Sequence, residues 1–581
     1  MHAKIGDMVH HRDNQGEFEE TDPSRVILSP IASIRDRFSI RMTIGILCFV
    51  LSLFFYYGSV LRVQLKRTDL LDLGPYTDAV EYFAQANSIL KGKAPAIQIG
   101  YDRLPSRYPP GYPILMLPWL KLLPHNKILA PFRTNQTIGL LLLIGGFVFY
   151  VGIGRPLAAG LTSLLLATQP AFISFTRSSM SDLSGATAAV LAFVLVYIGL
   201  RRARRWPIYC AAIVLGLSLC IRPQLFFFAP LLIAIALFPT DYSWPRWLMH
   251  CCLVVVVFAL ASLPYFLYNA FEFGNPLKTG YHFWVPDWTE SASFFSVRNV
   301  PPQLAMLWSE ITANWNEFRV ANLFGTGTYI VPAFVLLAVL GLAFVRIDRF
   351  TVAAFLGGIS YFVATLTYAF VEGRFYFPLF FLLVPLAILP AEWALSNALK
   401  LHFSLSKVAV LGVLMLTWLG YPSQSGFKPQ KRRFQAWDAL HYAKSGGMSP
   451  QYEAQKELAF SFWDAPGIVL SDTDSAYLNV LLPKPFVAAP IDEKHYYCYS
   501  RLWHYGKAEA IRLVTGGLDH AIPVYALFVP SEHLDQDVER LPQIQGYTWK
   551  RSDRSGTTAV IMVLTKETGA SSLDSVPAQR G

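Results

Sequence analysis

The chain has 581 residues, of which 53% are hydrophobic, 14% aromatic and only 15% charged. This composition excludes an ordinary soluble globular protein and predicts a polytopic α-helical membrane protein, with the lipid bilayer as a partner. The formal net charge of +10 is compatible with nucleic-acid binding, but the lysines and arginines collect in short loops between apolar stretches, as a topology signal does. We therefore predict no nucleic-acid partner.

The N-terminal region predicts how the chain enters the membrane. Residues 1–41 are polar and mixed in charge, and we predict a mostly disordered cytoplasmic tail. The apolar span at 42–61 is about 20 residues long, which is typical of a signal anchor and not of a cleaved signal peptide.

Ten further apolar stretches bring the predicted number of transmembrane helices to about eleven. They lie at 130–153, 156–176, 181–200, 206–222, 224–239, 247–267, 326–345, 351–371, 375–393 and 407–421. With the N-terminus inside, the basic residues between them fall on the cytoplasmic side, as the positive-inside rule requires. An odd number of spans then places the tail outside, together with the outer loops 62–129 and 268–325.

The loop at 62–129 contains the most informative stretch of the sequence. Apolar residues at helical spacing predict a short amphipathic helix over Tyr76 to Leu90, ended by Gly92. Asp78 and Tyr82 lie on one face of this helix, with Glu81 three residues after Asp78. Such a pair of acids is also typical of helix N-capping, which needs no chemistry, and both interpretations stay open.

The same stretch continues with further charges and a rigid turn. Asp102 and Arg103 follow the helix, and the segment RYPPGYP begins at Arg107. The prolines and the glycine of this segment force a stiff turn, so the Arg107 side chain is held in a fixed direction beside the membrane.

The pattern D-x-x-x-Y-x-x-x-A-x-x-x-x-x-G after the first span, followed by a PPGYP turn, resembles the GT-C membrane glycosyltransferases. It is most similar to the branch with the protein O-mannosyltransferases and the bacterial aminoarabinose and galacturonic acid transferases. Many relatives have two acids in a row, whereas Ala79 follows Asp78 here. Weaker similarities in GLSLCIRPQ, YNAFEFGNPLKTGY and VEGRFYFPL extend the resemblance over residues 42–421. The main pattern is carried by Asp78, Tyr82, Ala86, Gly92 and Pro109 to Pro113.

Two regions outside the spans have predicted structure of their own. In the loop 268–325, Leu304, Leu307 and Trp308 share one apolar helical face with Ile311, Trp315 and Phe318, which predicts an interfacial helix. Residues 422–568 predict a small extracytoplasmic α/β domain, with strands at GIVLS, KPFVAA, VYALFVP and TTAVIMVLT and helices near Trp437, Glu457 and Glu509. Residues 569–581 are predicted to be disordered.

Other ionisable residues collect at the outer ends of the predicted spans. Asp182, Arg222, Glu372 and Arg374 all fall on the same face as Asp78 by this topology. For any one of them, snorkelling to the interface is the alternative explanation.

Sugar transfer from a polyprenyl phosphate to a hydroxyl, which the resemblance implies, needs a base near the acceptor and cations that hold the leaving phosphate. We expect Asp78 to be the base or to orient the acceptor, with Asp182 sharing that duty or holding sugar hydroxyls. The proximity of Glu81 and a partly dry site are expected to raise the pKa of Asp78.

Arginines are the predicted phosphate ligands, because a guanidinium fork matches phosphate oxygens. No tight metal site is predicted, since the loop has acids but no histidine cluster, although a divalent cation stays possible. The donor-binding candidates are Arg107, Arg374, Arg222 and Arg103, and the remaining site candidates are Glu81, Tyr82, Asp102 and Glu372.

The sequence thus predicts an inverting GT-C-type glycosyltransferase that uses a polyprenyl-phosphate sugar and a glycan, lipid or protein acceptor on the outer face of the membrane. A transporter or flippase of a lipid-linked glycan is one alternative, and an O-antigen ligase or polymerase is another. The bacterial inner membrane is the predicted location, because the outer loops lack cysteine pairs and the N-x-S/T site at Asn135 begins a span.

Overall fold

The computed structural model of the chain describes residues 23–61, 77–100, 102–124, 127, 129–238, 243–284, 294–317, 332–398, 467–471, 487–491, 507–528, 534–552 and 560–567. Its α-helices before the C-terminal region are α1 (Pro23–Tyr56), α2 (Thr77–Leu90), α3 (Gly111–Leu122), α4 (Leu129–Gly152), α5 (Pro156–Thr168), α6 (Pro170–Arg177), α7 (Asp182–Arg201), α8 (Trp206–Ser218), α9 (Trp244–Phe273), α10 (Gly280–Trp284), α11 (Val300–Glu317), α12 (Pro332–Leu342), α13 (Arg349–Leu366) and α14 (Phe377–Ala398).

Six helices of the described part are long and apolar enough to cross a membrane. The pair α5 and α6 makes a seventh if it is one span, although it is bent by 68°. The long candidates are Ile40–Leu61, Leu129–Gly152, Asp182–Arg201, Trp244–Phe273, Arg349–Leu366 and Gly373–Asn397.

Several predicted spans are shorter or less regular than expected. The stretches predicted at 206–222 and 224–239 form α8 and a 3₁₀ helix at Pro223–Ile235. Pro223 and Pro230 lack the amide hydrogen that a regular α-helix would use, which explains the break. The span predicted at 326–345 is described as α12, and the span at 407–421 lies outside the described residues.

The first helix begins earlier than predicted. We expected a disordered tail up to residue 41, but α1 already starts at Pro23, so this expectation is corrected for residues 23–41. The segment from Ile31 to Arg41 contains neither glycine nor proline. A helix nucleated in the apolar span can therefore extend back through it at little cost.

The loop after α1 contains two elements that lie against each other. The predicted amphipathic helix is confirmed as α2, which ends at Leu90 and is followed by Gly92, whose φ is +69°. A hairpin follows, made of β1 (Ile97–Ile99) and β2 (Asp102–Leu104), which pair antiparallel. The sequence analysis did not predict this hairpin, although alternation of apolar and polar residues before Gly100 is a strand signal.

The described C-terminal residues form a mixed five-stranded sheet with the strand order β4-β3-β5-β7-β6. Strands β3, β4, β5 and β7 confirm the four predicted strands, and the helix predicted near Glu509 is confirmed as α15. Strand β6, at the edge of the sheet, and α16 were not predicted. The predicted helices near Trp437 and Glu457 and the tail 569–581 lie outside the described residues. The elements are β3 (Ile468–Ser471), β4 (Val487–Pro490), α15 (Lys507–Asp519), β5 (Val524–Phe528), α16 (Leu534–Glu539), β6 (Tyr547–Arg551) and β7 (Val560–Lys566).

Candidate active site

The apolar side of helix α2 packs on α3, and its acids lie on the other side of the helix. Val80, Phe83 and Ala86 are buried in a cluster with Tyr112 and Met116 of α3. This packing fixes the rotation of the helix. As a result, Asp78, Glu81 and Tyr82 point toward the loops and span ends around it.

Glu81 is fully buried and holds the turn that carries Arg107. Its carboxylate accepts hydrogen bonds from Ser106 Oγ at 2.7 Å, from the Arg107 amide at 3.0 Å and from Arg107 Nε at 2.6 Å. The Arg107 Nη2 atom adds an ion pair at 2.6 Å. Such charge-assisted bonds to a buried carboxylate fix the guanidinium in one place. Glu81 therefore positions Arg107 and does not act merely as a helix cap.

Gly111 docks the RYPPGYP turn onto the end of the α8 region. Its amide donates to the Cys220 carbonyl at 2.7 Å. A Cβ at this position would overlap the backbone of Cys220 and Ile221, so the close approach requires glycine. The contact brings the turn next to Arg222.

Asp78 is the point where two arginines meet. Its Oδ2 accepts a hydrogen bond from Arg374 Nη1 at 3.0 Å, and its Oδ1 lies 3.7 Å from Arg107 Nη2. Burial by itself raises the pKa of this carboxyl. The positive charges of the two arginines outweigh burial, and a hydrogen bond from Tyr108 adds to them, so the pKa is lowered from its usual value.

The direction of this pKa shift corrects the sequence analysis, which expected the pKa of Asp78 to rise. The expectation treated Glu81 as a neighbouring negative charge. In the structure the charge of Glu81 faces Arg107, and Asp78 faces cations instead. Asp78 is therefore ionised in the free protein at neutral pH.

Asp182, the first residue of α7, forms a second ion pair between an acid and an arginine in the cavity lining. Its carboxylate is 1% exposed and makes an ion pair with Arg222 Nη1. The segment before it is held by the buried Asn135, whose Nδ2 donates to the carbonyls of Ser178 and Met180 at 2.8 Å each. Asn135, the N-x-S/T site of the sequence analysis, is thus buried inside the protein.

Tyr82 links the two ion pairs. Tyr108 is a site residue that the sequence analysis missed, and Tyr281 is the last residue of the motif YNAFEFGNPLKTGY that the resemblance includes. The Tyr82 hydroxyl lies 2.9 Å from Ser181 Oγ, which ties α2 to the start of α7. Tyr108 hydrogen bonds to both Asp78 and Tyr281. Burial raises the pKa of the Tyr108 hydroxyl well above its usual range, so it stays protonated and donates to the carboxylate. Its place directly after Arg107 in the rigid turn was the signal available in the sequence.

Arg374 reaches the cavity from a 3₁₀ turn at Gly373–Tyr376, where its other partner is Glu372. Helix α11 holds this turn through Gln303. The Gln303 Nε2 atom donates to the carbonyls of Tyr368 at 3.0 Å and Phe370 at 2.8 Å, and its Oε1 accepts from Tyr376 at 3.1 Å. Glu372 lies at the rim, with its side chain 34% exposed.

One candidate, Arg103, does not line the cavity. Arg103 is exposed on β2, where its guanidinium donates to Ser88 Oγ and, at 2.9 Å, to the Ala94 carbonyl. These hydrogen bonds hold the β1–β2 hairpin against the end of α2. Asp102 lies in β2, and its side chain is outside the described part of the structure.

Six candidates line one cavity of about 390 Å³, namely Asp78, Tyr82, Arg107, Asp182, Arg222 and Arg374, whereas Glu81 and Glu372 do not line it. Its charged lining includes Asp78, Asp182 and three arginines, namely Arg107, Arg222 and Arg374. Part of its apolar lining is exposed at the surface, because Phe226, Phe295 and Leu277 are 49%, 47% and 74% exposed. The cavity thus combines a group of charged side chains with a partly exposed apolar lining. Its apolar lining includes Leu219, Phe226, Phe227, Phe266, Leu277, Phe294 and Phe295.

Metal binding has no support from grouped ligands. Among the residues that the structure describes, no three His, Cys, Asp or Glu side chains are arranged to hold a metal ion. The acids of the cavity face arginines, which compete with a cation for the same oxygens.

The chain matches no protein-family model and no curated protein sequence, but solved structures resemble it. ArnT from Cupriavidus metallidurans bound to undecaprenyl phosphate is 15% identical, with a TM-score of 0.56 over 89% of this chain and 97% of ArnT. The archaeal oligosaccharyltransferase AglB from Archaeoglobus fulgidus, in complex with an inhibitory peptide and a dolichol-phosphate, is 13% identical. Its TM-score is 0.50 over 91% of this chain and 75% of AglB.

These similarities show the fold of the chain. ArnT and AglB are both GT-C glycosyltransferases, and this chain shares their architecture over most of its length. The chain therefore has the GT-C fold, which confirms the fold predicted from the motifs at residues 42–421.

Proposed function

We propose that this protein is an inverting membrane glycosyltransferase that moves a sugar from a polyprenyl-phosphate donor to an acceptor hydroxyl. The observation that carries the proposal is the cavity, because its lining combines three arginines with a partly exposed apolar surface. A polyprenyl-phosphate sugar has the matching arrangement of an anionic phosphate next to a long apolar chain. The GT-C fold, shared with ArnT bound to undecaprenyl phosphate, supports the same donor class.

Arg107 and Arg374 are the proposed phosphate ligands. Both lie against Asp78, and Arg374 is the more accessible, with its side chain 26% exposed. A guanidinium can hold two phosphate oxygens at once. Arg222 forms an ion pair with the buried Asp182. We propose that it stabilises the ionised form of Asp182 and adds positive charge to the cavity lining.

The proposed reaction is a direct displacement. The acceptor oxygen bonds to the anomeric carbon while the bond from that carbon to the phosphate oxygen breaks, and the polyprenyl phosphate leaves with the electron pair. The acceptor proton passes to Asp78. Its pKa is low while it faces Arg374 and Arg107, and a phosphate bound to these arginines would offset their positive charges and raise the proton affinity of Asp78. Asp182 is proposed to hold sugar hydroxyls.

We further propose the topology and location in which this site works. About eleven spans, with the N-terminus inside, place the cavity and the C-terminal sheet on the outer face. The bacterial inner membrane fits the lack of cysteine pairs in the outer loops.

The test uses purified protein in nanodiscs and a panel of radiolabelled polyprenyl-phosphate sugars. We expect at least one donor to bind and its label to move to an acceptor in added membrane lipids or glycans. Arg107→Gln and Arg374→Gln should each weaken donor binding about tenfold or more, because each removes a charge-assisted bond. Arg298→Gln, an exposed arginine of the outer loop that does not line the cavity, is the matched control.

Two results would contradict the proposal. Equal donor binding by all three variants would show that the arginines do not hold phosphate. Label that crosses the bilayer but stays on its original lipid would favour the transporter alternative.

A further inference from the structure

The C-terminal sheet lies against the first outer loop of the membrane domain. The Gly100 amide, at the tip of the β1–β2 hairpin, donates to the Ala488 carbonyl of the edge strand β4 at 2.8 Å. Ile97 and Leu104 of the hairpin are 1% and 2% exposed. They belong to the same apolar cluster as the core of the sheet, including Ile468. The hairpin and the sheet therefore share one core.

Trp284, at the end of α10, is the largest fully buried side chain of the described residues and belongs to that same cluster. Its indole Nε1 donates to the Pro105 carbonyl at 2.8 Å. A buried indole N–H needs such a partner, so this bond fixes the backbone at Pro105. Pro105 is two residues before Arg107.

The opposite end of α10 contacts Arg107 directly. Gly280 packs so closely on the backbone of Ser106 and Arg107 that an added Cβ would lie only 2.5 Å from the Arg107 Cα atom. The short helix thus touches the turn at both of its ends. Glu81 holds the other side of the same turn through Ser106 and Arg107.

We propose that the C-terminal sheet positions Arg107 for phosphate binding, through the β1–β2 hairpin and Trp284. The contacts form a continuous path of buried side chains and backbone hydrogen bonds from the sheet to the guanidinium. This inference rests on the proposed function, in which Arg107 holds the donor phosphate. Trp284 and Ile97 are then positioning residues that never touch the donor.

The first test is Trp284→Phe, which keeps a ring in the buried position but removes the N–H donor to Pro105. The matched control is Trp549→Phe in β6, at the other edge of the sheet, where the indole donates to the Pro542 carbonyl at 3.0 Å. Loss of a neutral hydrogen bond typically shifts an equilibrium about fivefold. We expect Trp284→Phe to raise the KM for the donor about fivefold with kcat within about twofold of wild type, and the control to change neither.

A second variant keeps the proposal testable if Trp284→Phe folds poorly. Ile97→Val removes one methyl group from the contact of the hairpin with the sheet, and Ile561→Val makes the same change at a buried position of β7. We expect Ile97→Val to raise the donor KM about twofold and Ile561→Val to leave it unchanged. Equal effects of each variant and its control would overturn the inference.

A double-mutant cycle separates this inference from the proposed function. In an Arg107→Gln background, Trp284→Phe should have no further effect on the donor KM, because both changes act on the same contact. Additive effects would overturn the proposed path while leaving the phosphate role of Arg107 intact. An Arg107→Gln protein with wild-type donor KM would overturn the proposed function itself.

Discussion

The acids around the cavity differ in what surrounds each carboxylate. Glu81 is enclosed by the turn that carries Arg107, and Asp182 is buried against Arg222. Asp78 lies between Arg374 and Arg107 with its side chain 14% exposed, and it lines the cavity. Asp78 is therefore the acid best placed to meet an acceptor, while Glu81 has a positioning role.

The Asp78→Asn variant distinguishes chemistry from helix capping. Asn caps a helix as well as Asp does, so a capping role predicts a nearly silent change. If the carboxylate takes the acceptor proton, the loss should lower the transfer rate about a hundred- to ten-thousand-fold. We expect that loss, with normal insertion and retained donor binding, measured as label transfer in nanodiscs. A transfer rate within a few-fold of wild type would show that the Asp78 carboxylate does not take the proton, and Asp182 would then be the candidate base.

Tyr108 gives a prediction about pH. Its hydrogen bond helps to hold the pKa of Asp78 below the usual value, so the ionised form persists as pH falls and is lost only below that usual value. Tyr108→Phe removes the bond, which should raise the pKa of Asp78 and move the acid limb of kcat/KM to higher pH. Tyr281→Phe removes only the partner of Tyr108 and should move the limb less. An acid limb at the wild-type pH in Tyr108→Phe would show that Tyr108 does not act on Asp78.

At the scale of single elements, α11 has a second role that its amphipathic pattern did not predict. The predicted helix is confirmed as α11, and Leu304 and Trp308 on its apolar side are 47% and 68% exposed. Its place at the membrane interface stays a prediction. The opposite face buries Gln303, which holds the loop before Arg374. A periodicity of apolar residues detects the outer face of a helix but not a single polar contact on its inner face.

Gln303→Met tests this role of α11. The change keeps the length of the side chain but removes three hydrogen bonds and leaves buried carbonyls without their donor, which typically costs about 1–3 kcal/mol. We expect a lower unfolding temperature and a raised donor KM, because the turn of Arg374 loses its support. Leu304→Met introduces the same residue at the next, exposed position and should change neither quantity. Equal behaviour of the two variants would mean that α11 does not hold the turn.

At the scale of the whole molecule, the proposed site needs its charges on one side of the membrane. A fusion of alkaline phosphatase or green fluorescent protein after Gly581 reports the side of the C-terminus. An odd number of spans predicts active phosphatase and no fluorescence. Bright cytoplasmic fluorescence would contradict the proposed topology and the outer location of the C-terminal sheet.

Much of the architecture follows from the sequence because its signals are local. Apolar length determines that the chain enters a membrane, and helical spacing with Gly92 determines α2. Four strands of the C-terminal sheet follow from apolar runs bounded by turn residues. The edge strand β6 was not predicted, because its sequence YTWKR is partly exposed and contains no apolar run.

What only the tertiary structure decided is which charges meet. Because Asp78 and Glu81 are close in the sequence, the sequence analysis treated them as neighbours and predicted a raised pKa for Asp78. The helices instead bring Asp78 to Arg374, 296 residues away, while Glu81 turns to Arg107. Electrostatic interaction depends on distance in space and on burial, and neither is set by spacing along the chain. The sequence by itself therefore determined the types of residue at the site, and packing determined the partner and the charge state of each.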